Sequence, residues 1–138
     1  TGMQAAIANS QLSYINEIID KKITIQKTYE KYLKNQNIKF LRVENNAKSV
    51  YWMVGILLSD KISLSSNKLQ LRLKKNKIDT RNFFMSMNEQ PCFKQFRSKY
   101  KTPNSNKLWK KGLYLPSSHN LTTREIKFIC KKVLENII

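Results

Sequence analysis

Residues 49–58 read Ser-Val-Tyr-Trp-Met-Val-Gly-Ile-Leu-Leu, and from Val54 onward the run is apolar in both registers. A strand shows alternate residues to opposite faces, so such a run predicts a strand covered on both sides, at the centre of a sheet. The polar stretch Glu44-Asn45-Asn46-Ala47-Lys48 before it predicts a turn, and Ile38 to Val43 predicts a partner strand. Further upstream, Met3 to about Asn35 contains neither Gly nor Pro. Ile7, Ile15, Ile18, Ile25, Tyr29, Tyr32 and Leu33 recur there mostly at helical spacing, which predicts helix with a bend near Asn9, Ser10 and Ser13. The Asn35-Gln36-Asn37 cluster ends it.

Downstream the pattern is mixed. Leu69, Leu71 and Leu73 alternate with Gln70 and Arg72, as in a strand, yet Ser65-Ser66-Asn67 offers helix N-caps and most residues to Lys75 favour helix. Periodicity leaves both open. Ile78 to Phe84 reads as extended, Pro91 as a loop, and Pro103 to Lys111 as a helix stopped by Gly112. Leu113 to Pro116 is a short extended piece. The closing helix is the clearest element. Thr122 and Glu125 have capping-box spacing, Leu121 can staple against Ile126, and Ile126, Ile129, Cys130, Val133 and Ile137 form one apolar stripe. The order predicts an α+β domain with one core, as suits 138 residues.

Composition narrows the function classes. The net charge is +17, from 26 Lys+Arg against 9 Asp+Glu. That favours phosphate-rich partners in general, but the lysines are scattered and only Arg42, Arg72, Arg81, Arg97 and Arg124 are arginines. With no zinc-finger spacing, RNP-like aromatic motif or Gly-rich phosphate loop, a solvated lysine surface is the simpler reading. A stand-alone basic nucleic-acid-binding module is kept as the alternative. No apolar run approaches the roughly 18–20 residues of a membrane span. Cys92 and Cys130 form no framework and read as reduced cysteines of a cytoplasmic protein, one of them in the core.

Self-contained catalysis is not visible. His119 stands alone in a polar loop, Glu17 and Asp20 read as surface charges, and no set of ligands has metal-site spacing. The unusual segment is Thr80 to Pro91, Thr-Arg-Asn-Phe-Phe-Met-Ser-Met-Asn-Glu-Gln-Pro. It is either a strand that enters the core and loops out, or a pocket rim where Arg81 holds an anion with Phe83 and Phe84 in support.

Five pieces of the chain, in order, carry a resemblance. They are Thr1-Gly2-Met3-Gln4-Ala5-Ala6-Ile7 with Gln11-Leu12, then Tyr51-Trp52-Met53, then Ile78-Asp79-Thr80-Arg81. Phe83-Phe84 with Met87, Gln90 and Pro91 follows, and then Gly112-Leu113-Tyr114-Leu115-Pro116, before Leu121-Thr122 and the closing helix. Together they resemble the DegT/DnrJ/StrS-type aminotransferases, pyridoxal-phosphate (PLP) enzymes that aminate keto nucleotide-sugars. The Tyr-Trp-Met and Phe-Phe pieces are most similar to the perosamine-synthase branch, which acts on a GDP-linked 4-keto-6-deoxy sugar.

The resemblance implies the C-terminal small domain of a fold-type-I PLP enzyme, a small antiparallel sheet flanked by helices behind a long N-terminal helical segment. Residues 1–36 would dock on a large domain or a homodimer partner, and 37–138 would form the α+β domain. It also implies a fragment that starts just after the large domain. That domain would hold PLP and supply its lysine, so no cofactor and no transamination are expected from this part alone. Glutamate would be the amino donor, and the nucleotide-sugar the substrate. Arg81 would bind a substrate anion, Asn88 would stand where the family has histidine, and Trp52 would wall the pocket. Ser86 likewise stands for a family proline. The resemblance makes residues 67–76 a helix. Since Lys77 replaces a usual glycine, Asn76 is expected to take the left-handed turn. A remnant kept only for dimerisation is a third reading.

Overall fold

The structure is a computed structural model and describes residues 1–96 and 102–137. Two helices open the chain, α1 (Gly2–Leu12) and α2 (Ile15–Tyr32), broken at Ser13 and Tyr14 where the polar residues predicted a bend. Strand β1 (Ile38–Phe40) and strand β2 (Val54–Leu58) follow, then α3 (Ser66–Lys75), β3 (Arg81–Asn82), α4 (Pro103–Lys111), β4 (Gly112–Leu115) and α5 (Thr123–Asn136). Short 3-10 turns occupy Met87–Glu89 and Pro91–Phe96. The fold is α+β, as expected. The ambiguous segment is helix α3, capped by the Ser65 hydroxyl, which accepts from the Lys68 amide. The strands are shorter than the apolar runs that announced them, because Leu41 onward and Tyr51 to Met53 leave the ladder.

The four strands lie antiparallel in the order β1-β2-β4-β3, so β2 is interior. Its Ile56 pairs with Phe40 on one side and Leu113 on the other. Directly opposed residues share a face, and this register puts Ile38, Val54, Ile56, Leu58, Leu113 and Leu115 on one side, where all are buried. Against them pack Ile25 and Tyr29 from α2 with Leu33 at its cap, Leu69 and Leu73 from α3, and Ile126, Ile129, Cys130 and Val133 from α5. The closing helix has the full capping box at Thr122 and Glu125, and Leu121 packs on the core that holds Ile126. Tyr29 donates from its hydroxyl to Pro116 O at 2.9 Å, which ties α2 to the end of β4. By contrast α1 buries no residue at all.

At the end of α3 the left-handed residue is Lys77, with φ 59°, and not Asn76, whose φ is −92°. The hydrogen bonds explain the shift. Lys77 N–H donates to Lys74 O at 2.9 Å and Ile78 N–H to Leu73 O at 3.1 Å, the paired bonds of a Schellman cap. In that motif the left-handed position is the one after the cap residue, so it falls on Lys77. A Cβ in this conformation costs about 1–2 kcal/mol. Replacing Lys77 with glycine should therefore raise stability by about 1 kcal/mol, read as a higher urea midpoint at unchanged slope.

Candidate substrate-binding face

The other face of the sheet carries Lys39, Gly55, Leu57, Gly112, Tyr114 and Arg81, and no helix layer covers it among the described residues. Phe83 continues β3, its N–H donating to Gly112 O at 3.2 Å. Its ring lies on the two sheet glycines. A Cβ on Gly112 would come within 2.2 Å of Phe83 Cδ2 and 2.6 Å of Leu108 O, and one on Gly55 within 3.1 Å of Phe83 Cζ. From there the ring stacks on Tyr114, with centroids 4.4 Å apart. Trp52 and Phe84 approach the same tyrosine at 6.4 and 6.3 Å. Both remain largely in solvent, 64% and 77% exposed. The result is an aromatic shelf centred on Tyr114.

Arg81 is exposed and pairs with Tyr114 across β3 and β4. It lines a cleft between the 77–81 segment, the loop after β4 and α5, together with Lys77, Asp79, Ser117, Leu121 and Phe128. Trp52 lines a separate, smaller pocket with Gln26, Leu41, Tyr51 and Tyr114. The structure therefore places Arg81 and Trp52 on either side of Tyr114 rather than in one cavity.

Asn88 sits on the 3-10 turn after the shelf. Its Oδ1 accepts from the Ser86 hydroxyl and its amide donates to Glu89 Oε1 at 3.4 Å. Ser86 is buried and also lies 2.8 Å from the Ser105 hydroxyl of α4, while Asn106 donates to Glu89 at 3.3 Å. Ser86 and Asn88, the positions where the resemblance implies proline and histidine, thus bond to each other and stitch the turn to α4.

Two contributors were not read from the sequence. Tyr114 is the hub of the shelf, and period-two spacing from Gly112 was the signal that could have placed it there. Lys22, on α2, donates to Ser117 O and to Trp52 O at 3.1 Å, and burial holds its ammonium below the usual lysine range. Burial pushes Cys130 up to about 12, so it packs as a small apolar residue rather than a nucleophile. His119 is exposed in its loop. Among the described residues no three His, Cys, Asp or Glu side chains group to hold a metal, and no helix is long and apolar enough to cross a membrane.

Two charged side chains near this face are already hydrogen-bonded. The Lys22 ammonium is committed to backbone carbonyls, and Glu125, beside the Arg81 cleft, accepts from the Thr122 amide and hydroxyl at its helix cap. What the face presents is a cation beside an aromatic shelf, which suits binding and orienting a ligand more than bond chemistry.

The chain is a member of the DegT/DnrJ/EryC1/StrS aminotransferase family, whose model matches residues 1–134. It is 28% identical over 130 residues to the GDP-perosamine synthase of Vibrio cholerae, covering 94% of this chain and 35% of that enzyme. The GDP-perosamine synthase of Escherichia coli O157:H7 is also 28% identical, over 138 residues, 98% of this chain and 36% of the enzyme. The chain thus spans about a third of the length of the curated relatives it matches. Helicobacter pylori PseC, an aminotransferase involved in pseudoaminic acid biosynthesis, shares the fold with a TM-score of 0.87 at 20% identity, over 97% of this chain and 36% of that one. An E. coli GDP-4-keto-6-deoxy-D-mannose-3-dehydratase with bound hydrated PLP gives 0.82 at 15%, over 95% and 34%.

Because the shelf rests on glycine, Gly112→Ala should destabilise the chain by about 2–3 kcal/mol and Gly55→Ala by about 1 kcal/mol. Equilibrium urea unfolding reads the ranking, which follows the 2.2 and 3.1 Å approaches.

Proposed function

We propose that this chain is the C-terminal small domain of a PLP-dependent aminotransferase that aminates a keto nucleotide-sugar. The substrate class is a GDP-linked 4-keto-6-deoxy sugar of perosamine-type surface-polysaccharide synthesis, and glutamate is the donor. The carrying observation is the family match over nearly the whole chain, with only about a third of its relatives' length covered. The uncovered sheet face and the unburied α1 support the same reading, since both leave surface for a larger neighbour.

In this reading PLP and its lysine belong to a large N-terminal domain, and the chain has no transaminase activity by itself. Arg81 binds a substrate anion, Trp52 walls the pocket beside Tyr114, and Asn88 offers its amide where the family has an imidazole. A histidine can carry a proton and asparagine cannot, so Asn88 positions and does not relay. Met3, Ile7 and Leu12 of α1, each well exposed, dock on the large domain or the partner subunit in a cytoplasmic homodimer.

The test begins with the coding frame upstream of Thr1. A frame continuing into a lysine-bearing PLP domain, whose product moves an amino group from glutamate to GDP-4-keto-6-deoxymannose, is the expected result. A gene with no such frame, or a full-length product without amination of keto-sugars, overturns the proposal. In that product Arg81→Ala should raise KM for the nucleotide-sugar by about 10–100-fold, the usual worth of a charge-assisted hydrogen bond. The separate chain should self-associate through α1 in light scattering, and Ile7→Lys should reduce it; a monodisperse monomer removes α1 from the docking surface.

A further inference from the structure

We propose that Lys22 is a positioning residue whose ammonium closes the frayed end of the central strand pair and so holds Trp52 against Tyr114. The ladder between β2 and β4 pairs Val54 with Leu115. Continued outward, the same register sets Met53 opposite Pro116 and Trp52 opposite Ser117. Proline has no N–H to donate, so the ladder stops at Leu115 and the carbonyls beyond it need donors from elsewhere.

Lys22 supplies them. Its Nζ donates to Trp52 O at 3.1 Å and to Ser117 O, and lies 3.4 Å from Ser117 Oγ, which itself donates to Trp52 O at 3.4 Å. An ammonium has three donors and no acceptor, the complement of two carbonyls and a hydroxyl. Seven residues along the same face of α2, Tyr29 holds Pro116 O. One helix therefore holds both strands at the broken end of the ladder. On the other side of Trp52 the chain turns away at Tyr51, whose φ is 46°, in the left-handed region that a tyrosine rarely occupies. Trp52 lies between that turn and the strand, and the Lys22 bond fixes its backbone where the indole meets Tyr114.

The link from this latch to catalysis rests on the proposed role of Trp52; the positioning itself is tested without substrate. In a Trp109→Phe background Trp52 is the sole tryptophan. Lys22→Met keeps the length of the stem and removes every donor. It should increase the fast local motion in the Trp52 fluorescence anisotropy decay about twofold or more. Ser66→Ala loses a buried bond to Lys110 O near the other end of β4 and should leave that motion at the parent value. An unchanged decay in Lys22→Met overturns the proposal, and so does equal loosening in Ser66→Ala. In the full-length enzyme Lys22→Met should raise KM for the nucleotide-sugar about tenfold with kcat held. A loosened Trp52 with unchanged KM would sustain the latch and instead overturn the placing of Trp52 in the site.

Discussion

The ring of Phe83 lies on bare backbone, and the far face of the sheet is organised by that contact. Only three glycines occur in the chain, and two of them, Gly55 and Gly112, form the floor beneath this ring. With no side chain between, the ring settles onto the sheet and meets Tyr114 at stacking distance. Trp52 and Phe84 then gather on Tyr114 from either side. Gly112 also sits where α4 ends and β4 starts, so the same residue turns helix into strand and admits the ring. Its backbone is ordinary extended chain, with φ −87°; space, not a left-handed turn, is what requires glycine there.

Elements whose burial is periodic were legible in the sequence. The stripe from Ile126 to Ile137 and the box at Thr122 and Glu125 describe a helix with one wet face, and the two-sided apolar run at Val54 describes an interior strand. Residues 67–75 were not legible that way. Leu69, Leu71 and Leu73 alternate, but only Leu69 and Leu73, four apart, reach the core, while Leu71 points to solvent at 63% exposure. One exposed leucine on a helix had imitated a strand. The resemblance to a family resolved the ambiguity where periodicity did not.

The candidate site residues were legible singly and their connections were not. Arg81, Asn88 and Trp52 could be named because they stand in or beside recognisable motifs. Tyr114 and Lys22 act through contacts between residues far apart in sequence, which no local pattern encodes. The left-handed turn shows a related limit: asparagine tolerates that conformation better than lysine, but the count of residues in the cap decides the position. Ser86 and Asn88, which read singly as unrelated polar residues, become one hydrogen-bonded unit when folded.

The unburied first helix has a thermodynamic consequence. With 11 residues and only its own capping box at Thr1 and Gln4 for support, α1 is shorter than the roughly 12–15 residues at which isolated helices become persistent in water. Ordering a backbone costs on the order of 1–2 kcal/mol per residue, and α1 recovers none of that from a core. Any surface that covers Met3, Ile7 and Leu12 must therefore meet part of the folding cost of this segment as well as bind it. Affinity for any such surface and helix content at the amino end are then one linked quantity, so each substitution in α1 that changes helix propensity also changes how tightly that surface would be held.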